Sequence, residues 1–154
     1  MTSGVIASRP RTTEGGAMHS LAQHWIDSVL LASPVAKALG LTLAAAEVDE
    51  VTLALSYDDD LTTVPGVIHG GVVSTLVDTA GAAASASGLG PDNEASGGAT
   101  THLAVTYLAP AQTDLVATAT VLHRTRSTTL SEVRVRDAQG TLVATGQVHS
   151  RLFR

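Results

Sequence analysis

His69, Gly70, Gly71 and Asp78 are the residues here whose types and spacing could do chemistry. They lie in the stretch Leu61 to Pro91, where Asp78 is the sole charged side chain and His69 the only other titratable one. Two adjacent glycines let a backbone approach a ligand closely, and the first amides of a helix have no partner within it. Free N–H groups with a helix dipole behind them suit an oxyanion or a polarised carbonyl. A glycine pair before a helix more often marks only a turn. Joined to one carboxylate farther along the same helix, which can act as base or nucleophile, it points to acyl chemistry.

The element that must position these groups is a helix predicted over residues 69–87. At 100° per residue, Val73, Leu76, Val77, Ala80 and Ala84 share one face. Asp78 falls nearly opposite, beside Gly71, Ser74, Thr75, Ala82 and Ser85. A solvated face would carry Lys, Glu, Gln or Arg. Small residues all round describe a helix packed on both sides, where a carboxylate is costly unless it is bonded or used. Gly71, Thr75 and Ala82 are expected to lie against the substrate. Gly70 and Asp78 are eight residues apart, about 12 Å along a helix axis. A reacting carbonyl needs both within about 3 Å. One chain cannot supply both, but two can if their helices run antiparallel across a two-fold axis. The expected active unit is therefore at least a dimer with two equivalent sites.

Around this segment, residues 1–17 show no periodicity and read as a flexible tail, with one domain over 18–154. Apolar residues recur at helical spacing from Met18 through Leu21, Trp25, Val29 and Leu30, with Leu21 and Trp25 read as core. Ser33-Pro34 reads as a helix start and Gly40 as its end. Strands are expected over Leu41–Val48, Glu50–Tyr57, Thr100–Leu108, Leu115–Arg124, Thr128–Arg136 and Thr141–His149. Their short connections favour antiparallel neighbours. The order is that of an α+β fold with one sheet.

Composition narrows the function. The chain has 154 residues, 44% hydrophobic and 15% charged, enough for one well-packed domain. With aromatics at 3%, Ala, Val and Leu must fill the core. The absence of cysteine removes disulfides, thiolate metal sites and thiol nucleophiles. A net charge of −5 argues against a nucleic-acid partner. No apolar run reaches the roughly 18 residues of a membrane span, and the start lacks a signal-peptide core. A cytoplasmic protein with no membrane partner is expected. His19, His24, His102, His123 and His149 show no metal-ligand spacing, so neither metal nor cofactor is expected. G-x-S-x-G, P-loop and dinucleotide fingerprints are missing.

The sequence His69-Gly70-Gly71, the aspartate nine residues after His69, the Ala-rich helix and the strand Thr100-x-x-Leu103-x-Val105-x-Tyr107-Leu108-x-Pro110 together resemble hotdog-fold thioesterases of the phenylacetate-degradation (PaaI-like) group. The resemblance covers roughly residues 33–149. It implies an antiparallel sheet wrapped around one long central helix, dimers that often pair into tetramers, and hydrolysis of acyl-CoA thioesters. By resemblance, Asp78 is the general base or nucleophile, Gly70 offers the backbone N–H that polarises the carbonyl, and His69 steadies that loop. Thr100 is the assisting hydroxyl. Relatives often carry Asn or Gln at the position of Thr63, whose single hydroxyl is shorter. The turn at Arg126-Ser127, with Arg124, is expected near the CoA phosphates, whereas Arg134 and Arg136 read as a solvated strand face. Two other functions remain open: a hotdog hydratase/dehydratase, disfavoured because no Asp-x-x-x-x-His follows the helix start, and a non-catalytic acyl-CoA-binding protein.

Overall fold

The computed structural model describes residues 16–154; residues 1–15 of the expected tail lie outside it. His19 opens the first helix, α1 (Ser20–His24), by accepting the Leu21 N–H at 3.1 Å on Nδ1. The spacing from Met18 to Leu30 predicts one continuous helix. The structure instead widens it into a π-helical turn over Trp25–Leu30, with Ile26 fully buried beneath. The second helix, α2 (Pro34–Leu39), starts and stops as its sequence dictates. Ser33 accepts the Ala36 N–H at 3.3 Å, and Gly40 ends the helix at φ +69°, a left-handed setting that glycine adopts without strain.

Strands β1 (Thr42–Glu47) and β2 (Glu50–Leu55) form a hairpin. A small second hairpin, β3 (Thr62–Val64) and β4 (Val67–Ile68), precedes the long helix α3 (Gly70–Ala86). Then come β5 (Gly97–Tyr107), β6 (Leu115–Arg124), β7 (Thr128–Asp137) and β8 (Leu142–Phe153). Six strands make one antiparallel sheet in the order β1-β2-β6-β7-β8-β5. Among the described residues, no helix is long and apolar enough to cross a membrane.

The expectation that short links join neighbouring strands fails once. β5 and β6 are separated only by residues 108–114, yet β5 lies at one edge beside β8 and β6 lies between β2 and β7. The sheet packs around α3 through β2, β5, β6, β7 and β8, and the link is tied down on its way. Leu108 and Ala109 N–H donate to Val143 C=O, and Ala111 C=O accepts from Ile68 N–H just ahead of α3.

Helix and sheet meet through the predicted face. Leu76, Val77, Ala80 and Ala84 are fully buried, and Val73 nearly so. Burying each large side chain contributes about 1.5–3 kcal/mol. Two glycines set the separation. A Cβ on Gly81 would sit 2.5 Å from Val148 Cβ, and one on Gly146 would sit 2.5 Å from a Val77 methyl. The backbones approach this closely because both positions lack a side chain.

Candidate active site

Asp78 is half-buried on α3, and Thr100 Oγ1 donates to its Oδ1 at 2.6 Å. Thr100 reaches the helix because β5 is irregular beside it. In register with β8, Thr100 pairs with Ser150 while His102 pairs with His149, so Thr101 is an extra residue. Strict alternation inward from Val105 would have turned Thr101 toward α3. The bulge hands that position to Thr100, which is the re-aiming that bulges near functional groups commonly perform. Among the described residues Asp78 Oδ2 has no protein partner, which leaves one oxygen for water or ligand.

The pair borders a cavity of about 370 Å³ between the C-terminal half of α3, the start of β5 and the π-helical turn. Ala82 lies in its wall, as do Trp25 and Leu30. Trp25, read from sequence as core, is half-buried and serves as cavity wall too.

The other predicted groups gather at the start of the same helix, eight residues before Asp78. His69 is the N-cap of α3, with Nδ1 accepting the Gly71 N–H at 2.8 Å. That acceptor role leaves the neutral ring's proton on Nε2. A Cβ on Gly71 would stand 2.9 Å from His69 Nδ1, so the cap requires glycine there. Gly70 N–H, the first amide of α3, has no protein partner among the described residues. Thr63 and Gly70 line a second cavity, of about 420 Å³. Thr75 turns its hydroxyl back to Gly71 C=O at 2.8 Å. Within one chain, then, Asp78 and Thr100 line one cavity, while Thr63 and Gly70 line another, with His69 and Gly71 joined to each other at the cap beside it.

Tyr107 is the residue that sequence reasoning passed over. Its hydroxyl donates to Gly70 C=O at 2.7 Å and lies 3.3 Å from Ser74 Oγ. It anchors the start of α3 from the end of β5. Its place in the strand motif was visible, but a contact across 37 residues was not.

Arg124, expected near the CoA phosphates, is engaged within the chain. Its guanidinium bonds Asp49 at 2.9 Å and the carbonyls of Ser85 and Ala84 at 2.9 and 3.0 Å. A cation on the last carbonyls of a helix satisfies groups that lack helical partners and complements the dipole. Arg124 therefore closes the C-terminal end of α3, and a Cβ on Gly88 would collide with it. Arg126 is exposed and Ser127 half-buried in the β6–β7 turn, where Arg154 donates to Arg126 C=O. Arg134 pairs with Glu132 at 3.1 Å on an exposed strand face, and Arg136 donates to Gly140 C=O. His102 and His149 stack edge to face at 5.3 Å, away from Asp78 on the outward side of β5 and β8.

An antiparallel sheet folded round one long helix, with a lone helix-borne carboxylate at its side, is the hotdog architecture. The chain belongs to the thioesterase superfamily, whose family profile matches residues 65–144. A Halobacterium salinarum protein named as an esterase is 38% identical over 125 residues, covering 75% of this chain and 82% of that protein. A thioesterase family protein from Silicibacter pomeroyi superposes with a TM-score of 0.77 at 25% identity, over 86% of this chain and 98% of that one. The PaaI protein of the Escherichia coli phenylacetic acid degradation operon also gives 0.77, at 21% identity, over 90% and 97%. That last likeness is one of fold, and it agrees with the PaaI-like resemblance read from the sequence.

Proposed function

We propose that this protein hydrolyses acyl-CoA thioesters at a site shared between two copies of the chain. Asp78 and Thr100 come from one copy, and the Gly70 N–H, steadied by His69 and Tyr107, comes from the other. The observation that carries the reading is the bonded pair Asp78–Thr100 beside a cavity at mid-helix, with an unpaired amide at the start of the same helix, eight residues away. β5 supports the pairing. It is an edge strand of 11 residues with Leu103 and Tyr107 exposed, and Leu108 exposed just beyond its end. An uncovered edge of this length is a template for another strand. A second β5 running antiparallel would bring the Tyr107 end of one chain toward the Thr100 end of the other.

In the reaction, Asp78 takes a proton from water as that oxygen bonds to the thioester carbon, or attacks that carbon itself. The carbonyl oxygen gathers negative charge opposite the Gly70 N–H, whose donation is worth most at that moment. The C–S bond then breaks and CoA leaves as a thiolate, which takes the proton that Asp78 accepted from water. Where Asp78 attacks directly, it forms an anhydride with the acyl group that water then hydrolyses to the free acid, restoring the carboxylate. Arg126 and Ser127 remain candidates for the CoA phosphates, Thr63 for the carbonyl side, and Gly71, Thr75 and Ala82 for contact with the substrate. Pairing of dimers into tetramers belongs to the same proposal.

The test is thiol release over a panel of acyl-CoA thioesters, with Asp78→Asn as control. Turnover in the parent and its loss in the variant support the reading. Saturable binding without turnover would make the protein a carrier, and loss of enoyl absorbance would make it a hydratase.

A further inference from the structure

Ser150 takes no part in the chemistry above, yet it borders the cavity beside Asp78. It is 5% exposed on β8, and its hydroxyl is buried with no hydrogen-bond partner among the described residues. Interiors leave few polar atoms in that condition, because an unpaired hydroxyl forfeits its bonds to water. Ser131 Oγ is also unpartnered, but it does not border this cavity, so no ligand is placed against it. The neighbouring polar groups are taken: Thr129 donates to Ser85 Oγ at 2.9 Å.

The register locates Ser150 relative to the reacting atoms. It is the cross-strand partner of Thr100, and such partners on one face stand about 5 Å apart. Thr100 in turn holds Asp78 at 2.6 Å. A thioester carbon attacked from Asp78, or from a water on it, lies within about 3 Å of the attacking atom. Ser150 therefore stands within a few ångströms of where an acyl chain would leave that carbon, and the remaining wall is largely apolar, with Trp25, Leu30, Leu89 and Leu152.

We propose that this cavity selects acyl groups with an apolar body and one hydroxyl or oxo oxygen close to the thioester carbonyl, bonded by Ser150 Oγ. The proposal rests on the acyl-CoA reading above. A serine hydroxyl has three staggered χ1 positions, so it turns to a ligand with the backbone in place. It can donate to an oxo oxygen, or either donate to or accept from a hydroxyl. A plain hydrocarbon acyl group covers Ser150 and leaves its buried hydroxyl unpaired, and an unpaired buried group is the effective way to reject an analogue.

The experiment compares butanoyl-CoA with 3-hydroxybutanoyl-CoA in parent and Ser150→Ala protein, by thiol release. Binding of each is also followed through Trp25, the single tryptophan and itself in the cavity wall, in the Asp78→Asn background. The expected result is a preference of about tenfold for the hydroxylated substrate, the scale of one hydrogen bond, falling to about one in Ser150→Ala. The variant should melt no lower than the parent, because the hydroxyl it loses has no partner. Equal handling of the two substrates by the parent, or a preference that survives Ser150→Ala, overturns the proposal and leaves hydrolysis intact. Tighter binding of 3-hydroxybutanoyl-CoA that vanishes in Ser150→Ala, without thiol release in the parent, upholds the selectivity and overturns the hydrolase reading. Neither release nor any change in Trp25 emission overturns both.

Discussion

Replacing Gly70 with proline removes one N–H from the site and little else. Gly70 is the first residue of α3, a position proline tolerates because its amide has no helical partner. His69 before it has φ −60° and ψ 134°, the extended setting that a residue preceding proline adopts. A Cβ at Gly70 meets Tyr107 Cζ and Oη at 3.4 Å, an ordinary contact. Stability should hold or rise by up to about 1 kcal/mol, since proline restricts the unfolded chain. At this chain length that is a Tm shift of only about 2–4 °C. Activity should fall about 10²–10³-fold in kcat, the loss of one oxyanion donor, or ~2.7–4 kcal/mol of transition-state stabilisation. Gly70→Ala keeps the N–H and adds the same Cβ, so it separates loss of the donor from crowding and should stay within a few-fold of the parent. Thiol release on the best acyl-CoA, beside thermal melts, reads both. If Gly70→Pro melted normally and kept more than about a third of the parent kcat/KM, the donor role would be refuted.

Three further outcomes follow from the same geometry. Thr100→Val removes the donor to Asp78 while keeping the shape, and should lower kcat by about 10–100-fold, with Thr100→Ser retaining most of it. Arg124→Met leaves Asp49 and the carbonyls of Ala84 and Ser85 without their cation. It should cost about 1–2 kcal/mol in denaturant melts while leaving the KM for acyl-CoA within about twofold, because Arg124 closes a helix rather than binding phosphate. Gly81→Ala gains about 0.8–1 kcal/mol of helix propensity but drives a Cβ to 2.5 Å from Val148, which is fully buried and cannot yield. Overpacking of about 1–3 kcal/mol should win, and the double variant with Val148→Ala should show coupling that relieves it.

What could be read from residues alone follows how local the determinant is. The face of α3 depends only on the spacing of Val73, Leu76, Val77, Ala80 and Ala84, and the structure buries all of them. Its predicted start at residue 69 falls one residue early, because His69 serves as the N-cap of a helix that begins at Gly70. The neighbours of β5 depend on how a sheet curls round a helix, which no pattern in residues 108–114 records. The extra residue at Thr101 leaves no mark in composition, although it decides which threonine meets Asp78. The helix-end partners of Arg124 were not legible, because an arginine beside a turn looks alike whether its partner is a phosphate or the end of a helix packed from elsewhere. Tyr107 and Ser150 acquire meaning only from register and burial.

The central claim is that Asp78 of one chain works with Gly70 of another, and mixed dimers test it most directly. Asp78→Asn and Gly70→Pro chains, each inactive alone, are refolded together. Random pairing makes about half the dimers mixed, each with one site carrying both defects and one site carrying neither. The account predicts recovery of about a quarter of the parent activity. Mixed dimers that form in that proportion and remain inactive would contradict it.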